Sequence, residues 1–431
     1  MIYNNKKAIV NTNLFDGKEI LGLRTVVFGN GKIIEISEFP PEDAEIIDGT
    51  GTTLIPGLID AHVHTSVQFL RDALKFGVTT ELEMMGGFTK EGRDKQLKGI
   101  YDIADVRSAG MGLTAPGGHP DELIPKGDGI PEFVLKEMER MSEEELKAFL
   151  AAHEAQKLEE DAGPDVTTKE GAIAFVRRQV QNGADYIKIM IEEGTVMNAP
   201  GLPMIEPAVL GAAVDEAHKL GKIVIAHVLT AEAAKTAVEI GVDGLAHLFI
   251  DRPSWTEELI NAIAENSVFV TPCLVLNSSI IGNSACHLAN DQRVEPKLNE
   301  EWKMTMCSCF NTYPGGSMGD NFNNIKDLYD AGIDILVGTD VSVPMPHLGG
   351  LAHGVSVHHE MQLLVQAGMK PIDALKSATS VIAKRFSLVD RGLIAEGMRA
   401  DLLLVKGDPT TNISDTLNII GVWKEGELYY S

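Results

Sequence analysis

Seven times between Phe69 and Asp340, a stretch of helical spacing gives way to a short apolar run. The pairs are "FLRDALKFG" and "VTTELEM", "DKQLKGIYDIADV" and "SAGMGLTAP", "GAIAFVRRQVQNGA" and "DYIKIMI", "AVLGAAVDEAHKLG" and "KIVIAHV", "AEAAKTAVEIG" and "VDGLAHLFI", "EELINAIAENS" and "VFVTPCLV", "NNIKDLYDAG" and "IDILVGTD". "GLIDAHV" ahead of them makes eight apolar runs. A helix between consecutive strands is a crossover, so the strands must run parallel. Eight such units predict an α/β fold of the (β/α)8 TIM-barrel type over residues 57–390. Gly77, Gly183, Gly221, Gly241 and Gly332, each just ahead of an apolar run, are expected to close the preceding helices as C′ glycines.

The flanks read differently. Residues 1–56 look like short strands broken by Gly, Asn and Pro turns, and residues 391–431 return to that texture. The two ends are expected to meet in a small β-sandwich. Residues 117–167 and 276–320 interrupt the rhythm of the third and seventh units; long loops there would be lids or walls at the barrel mouth, with a solvated helical excursion as the alternative for the acidic part of 117–167.

Composition narrows the function. A hydrophobic fraction of 44% supports a large buried core. A net charge of −25 argues against a nucleic-acid partner, which needs a basic face. No apolar run approaches the roughly 20 residues that cross a bilayer, so no membrane partner is expected. "MIYNNKKAIVNTN" lacks a secretory h-region, and a cytoplasmic location follows as the default. Cys307 and Cys309 form a C-x-C without a second pair, and the four cysteines are expected to be free thiols.

Reacting groups in such a barrel sit at the carboxyl ends of strands. Read in order, those ends carry His62 and His64, then His119, Lys188, His227, His247 and Asp340. His62 and His64 are two apart, so a strand projects both to one side. Taken singly, each has a plain explanation: a hydrogen-bonded core histidine, a strand-end lysine, a helix-capping aspartate. Their recurrence at one end of six apolar runs is what argues for a site, because burying them unpaired costs several kcal/mol apiece.

The segments "PGLIDAHVH", "IKIM", "IVIAH", "LAH" and "GTD", in this order, resemble the amidohydrolase superfamily, as does the tail "RGLIAEGMRADLLLVKGDP". Within it, "IKIM" and "GGHPDE" are most similar to the binuclear, prolidase-like and imidazolonepropionase-related branch. The resemblance implies that His62, His64 and Asp340 hold one divalent ion, His227 and His247 a second, and that Lys188, carboxylated by CO2, bridges them. Zinc suits these donors, with manganese, cobalt or iron as alternatives. It further implies Asp340 as the proton shuttle and His119 as the oxyanion donor in cleavage of a small-molecule C–N amide bond. A dipeptide or N-acyl amino acid is the expected substrate. A deaminase or cyclic-amide hydrolase is the alternative, and a catalytically silent scaffold a third reading. A homo-oligomer is expected.

Leu229 stands where relatives often carry a further histidine, and no arginine adjoins the motifs to clamp a substrate carboxylate. Arg252 and His353 are the candidate substrate contacts, with His347 nearby, set against a surface arginine and plain loop or helix histidines. His358, His359 and Glu360 lie in a helix expected to turn most side chains outward. "HEAQK" at 153 lacks the second histidine of H-E-x-x-H, and the pairs Gly86–Gly87 and Gly117–Gly118 lack a phosphate-loop sequel.

Overall fold

A computed structural model describes residues 6–86, 90–97, 99–123 and 165–430, together with 135, 138, 139, 141–143, 146, 147 and 149–151. Gly87, the "HEAQK" segment and most of the interruption at 117–167 lie outside the described residues.

The N-terminal flank forms β1 (Lys7–Phe15), β2 (Ile20–Gly29), β3 (Lys32–Ser37), β4 (Glu45–Asp48) and β5 (Thr52–Pro56). The alternating region follows as β6 (Leu58–Val63), α1 (Val67–Leu74), β7 (Val78–Glu83), α2 (Lys90–Gln96) and β8 (Asp105–Ser108). It continues with α3 (Lys169–Gln181), β9 (Ile187–Met190), α4 (Pro207–Lys219), β10 (Val224–His227), α5 (Ala231–Glu239) and β11 (Gly244–Ala246). Then come α6 (Thr256–Glu265), β12 (Phe269–Thr271), α7 (Leu274–Ile280), α8 (Cys286–Ala289), α9 (Glu300–Met306), α10 (Met318–Asp330) and α11 (Val355–Gln366). The chain ends in β13 (Leu402–Lys406), β14 (Ile419–Lys424) and β15 (Glu427–Tyr430).

Local chemistry accounts for these boundaries. Thr168 and Thr230 each accept a backbone N–H of the helix they precede, from Gly171 and Ala233. The five glycines expected to close helices all have φ between +70° and +86°.

The parallel strands pair in two sheets, β6-β7-β8 and β12-β11-β10-β9. Isolated parallel bridges link Leu113 to Ile189, Val270 to Ile335 and Val63 to Val341. The eighth expected strand, "IDILVGTD", is therefore an extended segment rather than a full strand. It still bonds on both sides: Leu336 N–H to Val270 O, and Ala61 N–H to Val337 O. Among the described residues the parallel strands thus do not pair in one continuous eight-stranded ladder. The third strand also lies earlier than expected, at Asp105–Ser108 rather than along "SAGMGLTAP". Gly110 at φ +67° bends the chain out of the sheet there.

The termini do meet, but as one sheet of order β15-β14-β13-β5-β1-β2-β3 with β4 on β1, in place of the expected sandwich. β5 joins the two ends by pairing antiparallel with β13. Alternation along β13 then splits its burial. Leu402 and Leu404 pack into the sheet's own core with Phe28 and Trp423, whereas Leu403 and Val405 face the large core of the parallel region.

Two further expectations are overturned within the fold. Cys286 and Cys307 form a disulfide between α8 and α9, leaving Cys273 and Cys309 as the free thiols. The backbone bond from Ala285 N–H to Met306 O brings these two short helices together, a contact that cysteine spacing does not encode. Among the described residues no helix is long and apolar enough to cross a membrane.

His358, His359 and Glu360 on α11 are buried rather than outward-facing. His358 bonds Thr416 Oγ1 at 2.9 Å and Phe76 O at 2.8 Å, because residues near the terminal sheet cover that helix. Glu360 accepts the N–H groups of Leu274 and Val275 at 2.9 and 2.8 Å, capping α7 from outside. Glu360→Ala strands two buried donors and is expected to lower stability by about 2 kcal/mol, read from urea or thermal unfolding.

Candidate metal centre

The carboxyl ends of the parallel strands open into a cavity of about 900 Å³. His62 and His64 leave β6 and meet Asp340 from the extended segment. Asp340 Oδ1 lies 3.0 Å from His62 Nε2 and 3.1 Å from His64 Nε2. Its Oδ2 lies 3.9 Å from His247 Nε2. That nitrogen in turn sits 3.2 Å from Nδ1 of His227, at the end of β10. Asp340 holds φ +57°, a left-handed conformation costly for a non-glycine residue, and this bend aims its carboxylate across the site.

Electrostatics follow from burial. Desolvation pushes the His62 imidazole down to about 3, helped by the neighbouring Lys188 charge. Burial likewise depresses His227 and His247, each also repelled by neighbouring basic groups. Neutral imidazoles have the free lone pair that coordination needs. Burial alone would raise Asp340, but the charges of His62 and His247 and the hydrogen bonds from His62 and His64 outweigh it, holding the carboxyl well below its usual range. Lys188 on β9 is 1% exposed, and its Nζ has no hydrogen-bond partner. Burial lowers it to about 8.

The donors suit a divalent cation. The ligand atoms of His62, His64 and Asp340 lie within 4.8 Å of one another, as do those of His62, His247 and Cys273. A buried, unpartnered Lys188 beside them, where several kcal/mol are at stake, is what an added group there would relieve. Cys273, a buried soft donor beside His62 and His247, went unmarked in the sequence; a lone buried cysteine gives no spacing signal.

His119 also reaches the cavity, its ring 4.3 Å from that of His227 and its Nδ1 2.6 Å from Glu122 Oε1. The walls are apolar, with Met111, Phe175, Met197, Phe310, Met345 and the Leu229 singled out above. Arg178 of α3 lines the cavity too. It lies ten residues before Lys188 on the preceding helix, a placement that strand-end reading could not reach.

The two expected substrate contacts are placed elsewhere. Arg252 bonds Asn324 Oδ1 at 2.5 Å and pairs with Asp327, which holds it off the cavity wall. His353 is buried behind the site. It bonds Glu81 Oε1 at 2.9 Å and Ser342 O at 3.0 Å, and stacks on Phe69. His347 is exposed and does not line the cavity.

Three buried acids were missed. Asp60 accepts the N–H groups of His62 and Thr339, each at 3.1 Å, and the Thr339 hydroxyl at 2.7 Å. Burial and the adjacent Glu81 push it up to about 8. Glu83 takes the Met85 N–H at 2.6 Å and lies 3.9 Å from His64 Nδ1. A signal existed: Glu81 and Glu83 stand two apart, on one face of a run expected to be a barrel strand.

Two parallel sheets with imidazoles, a lysine and a carboxylate gathered at their strand ends have the layout of a metal site on a fold of the TIM-barrel type. The model of the amidohydrolase family matches residues 53–429, and the chain belongs to that family. Ochratoxinase of Aspergillus niger is 26% identical over 268 residues, 59% of this chain and 48% of that one, so the matched segment spans about half of that relative. A dihydroorotase of Anaeromyxobacter dehalogenans is 31% identical over 120 residues, 26% of this chain and 27% of its own. The crystal structure of a Xaa-Pro dipeptidase with bound methionine superposes with a TM-score of 0.70 at 24% identity, over 99% of this chain and all of that one.

Proposed function

We propose that the chain is a binuclear metal-dependent amidohydrolase that cleaves the C–N amide bond of a dipeptide or N-acyl amino acid. One observation carries the reading: the Asp340 carboxylate spans His62 and His64 on one oxygen and faces His247 on the other. His62, His64 and Asp340 would hold one cation, and His227 and His247 the second. Lys188 would bridge them once its amine has bonded CO2 and lost a proton, replacing a repelling ammonium with two anionic oxygens. The imidazole donors with Cys273 nearby favour zinc over harder cations. When bound, such a pair supplies Lewis acidity, lowering the pKa of water towards 7 and polarising an amide carbonyl.

The chain's own groups do the rest. Asp340 accepts the proton of the attacking water and returns it to the leaving nitrogen. With Nδ1–H given to the Glu122 carboxylate, His119 would donate to the developing oxyanion from Nε2 as an imidazolium, its charge balanced by Glu122. The apolar wall takes the side chain of the substrate, and Arg178 meets its carboxylate.

Metal analysis of the purified protein should give about two divalent ions per chain, and chelation should abolish hydrolysis that added zinc restores. A panel of dipeptides, N-acyl amino acids, dihydroorotate and aminopurines then sorts the substrate class. Turnover confined to the ring substrates would replace the amide reading with the cyclic-amide or deaminase one, and a protein that takes up no metal would end both.

A further inference from the structure

We propose that Glu192 is a positioning residue that holds His227 in the tautomer presenting Nδ1 to the second cation. The inference rests on the binuclear reading above and extends it to a residue with no part in the proposed chemistry.

His227 Nδ1 and His247 Nε2 are 3.2 Å apart. Two nitrogens on one tetrahedral zinc, each bonded at 2.0–2.1 Å, sit about 3.3 Å apart. The observed gap therefore suits two bare lone pairs converging on one ion. If Nδ1 is bare, the proton of neutral His227 must ride on Nε2, in a ring the structure buries. A buried N–H without an acceptor costs about 1–3 kcal/mol. Glu192 Oε2, 3.3 Å from Nε2, is the acceptor.

Glu192 is set in place without reference to His227. Its other oxygen, Oε1, takes the Gly194 N–H at 2.6 Å. Gly194 holds φ +92°, and a Cβ there would fall 1.9 Å from Ala199 O, so the turn that aims this N–H admits only glycine. His119, packed over the His227 ring, limits its swing from the other side. The result is a carboxylate–histidine–cation arrangement, in which the outer carboxylate selects the tautomer and raises the basicity of the inner nitrogen.

The isosteric variant Glu192→Gln separates hydrogen bonding from packing. Glutamine has one acceptor oxygen where two donors, Gly194 N–H and His227 Nε2–H, need one each. Ion uptake by apo protein, titrated with zinc against a competing chelator, should resolve two steps in the native chain. In Glu192→Gln the weaker-holding step at His227 and His247 should lose 10–100-fold in affinity, while the His62–His64–Asp340 step stays within about twofold. Equal losses at both steps, or no loss at either, would overturn the inference.

A second readout needs no variant. Nitrogen NMR of apo protein labelled in histidine, with His227→Gln for assignment, should show His227 protonated at Nε2; a proton on Nδ1 overturns the inference. If the native chain takes up fewer than two ions, the binuclear reading falls instead, and this one with it.

Discussion

In Lys188→Ala, bound metal is expected to drop from about two ions per chain to one or fewer, with kcat/KM falling about 10³–10⁴-fold. The reasoning is electrostatic. An uncapped ammonium has no lone pair and repels cations, so on the proposed binuclear reading Lys188 would aid the site only once carboxylated. Its side chain is 1% exposed, and its Nζ finds no partner among the side chains around it. Evolution of such a position without a function would ordinarily favour an apolar residue, because a buried unpaired amine is costly. Lys188→Met keeps most of the volume and cannot be carboxylated, so it controls for the cavity that alanine leaves. Both variants should melt no more than a few degrees below the native apo protein. Either variant retaining two ions and full turnover would refute the bridging role.

What could be read without coordinates followed from periodicity. Helical and strand spacing marked the crossovers, and the C′ glycines marked their ends, because both signals are local. The misplaced third strand shows the limit: "DIADV" is a short apolar run, and such a run reads equally as helix or strand. The eighth segment was located correctly but pairs too briefly to form a strand, which depends on neighbours distant in the chain.

The site divides in the same way. The H-x-H pair and the strand-end lysine, histidines and aspartate were visible because ionisable residues are conspicuous in apolar runs. Glu192, one residue past such a run in "IKIMIEEG", passes for a solvated turn acid. Arg178 and His353 depend on how helix and loop side chains lean, towards the cavity for one and behind it for the other. No spacing rule contains that information. The Cys286–Cys307 bridge was missed for the same reason, since its 21-residue separation matches no framework.

Asp105→Ala should be among the most destabilising single changes, by about 3–5 kcal/mol. Asp105 opens β8 and is the anion on which three cations from the far end of the chain converge. Arg391 Nη1 is 2.7 Å from Oδ2, Lys424 Nζ is 3.3 Å from Oδ1, and Arg399 bonds Oδ2 as well. Arg391 is 2% exposed at its side chain and gives a further bond to Thr80 Oγ1 at 3.0 Å. The cluster thus pins the parallel region to the segment leading into β13 and to β14. Burial alone would raise the Asp105 carboxyl, but Arg399, Lys424 and Arg391 together hold it far below its ordinary value. An acid depressed on folding stabilises the native state above its unfolded value, near 3.9, and that contribution drains away as pH falls below it. The native protein should therefore lose stability steeply on the acid side of about pH 4, and Asp105→Ala should show a shallower slope there. Thermal melts of both chains between pH 3 and pH 7 read this directly. Parallel curves, offset by a constant at every pH, would mean that the three cations find other partners and that Asp105 is merely one surface contact among many.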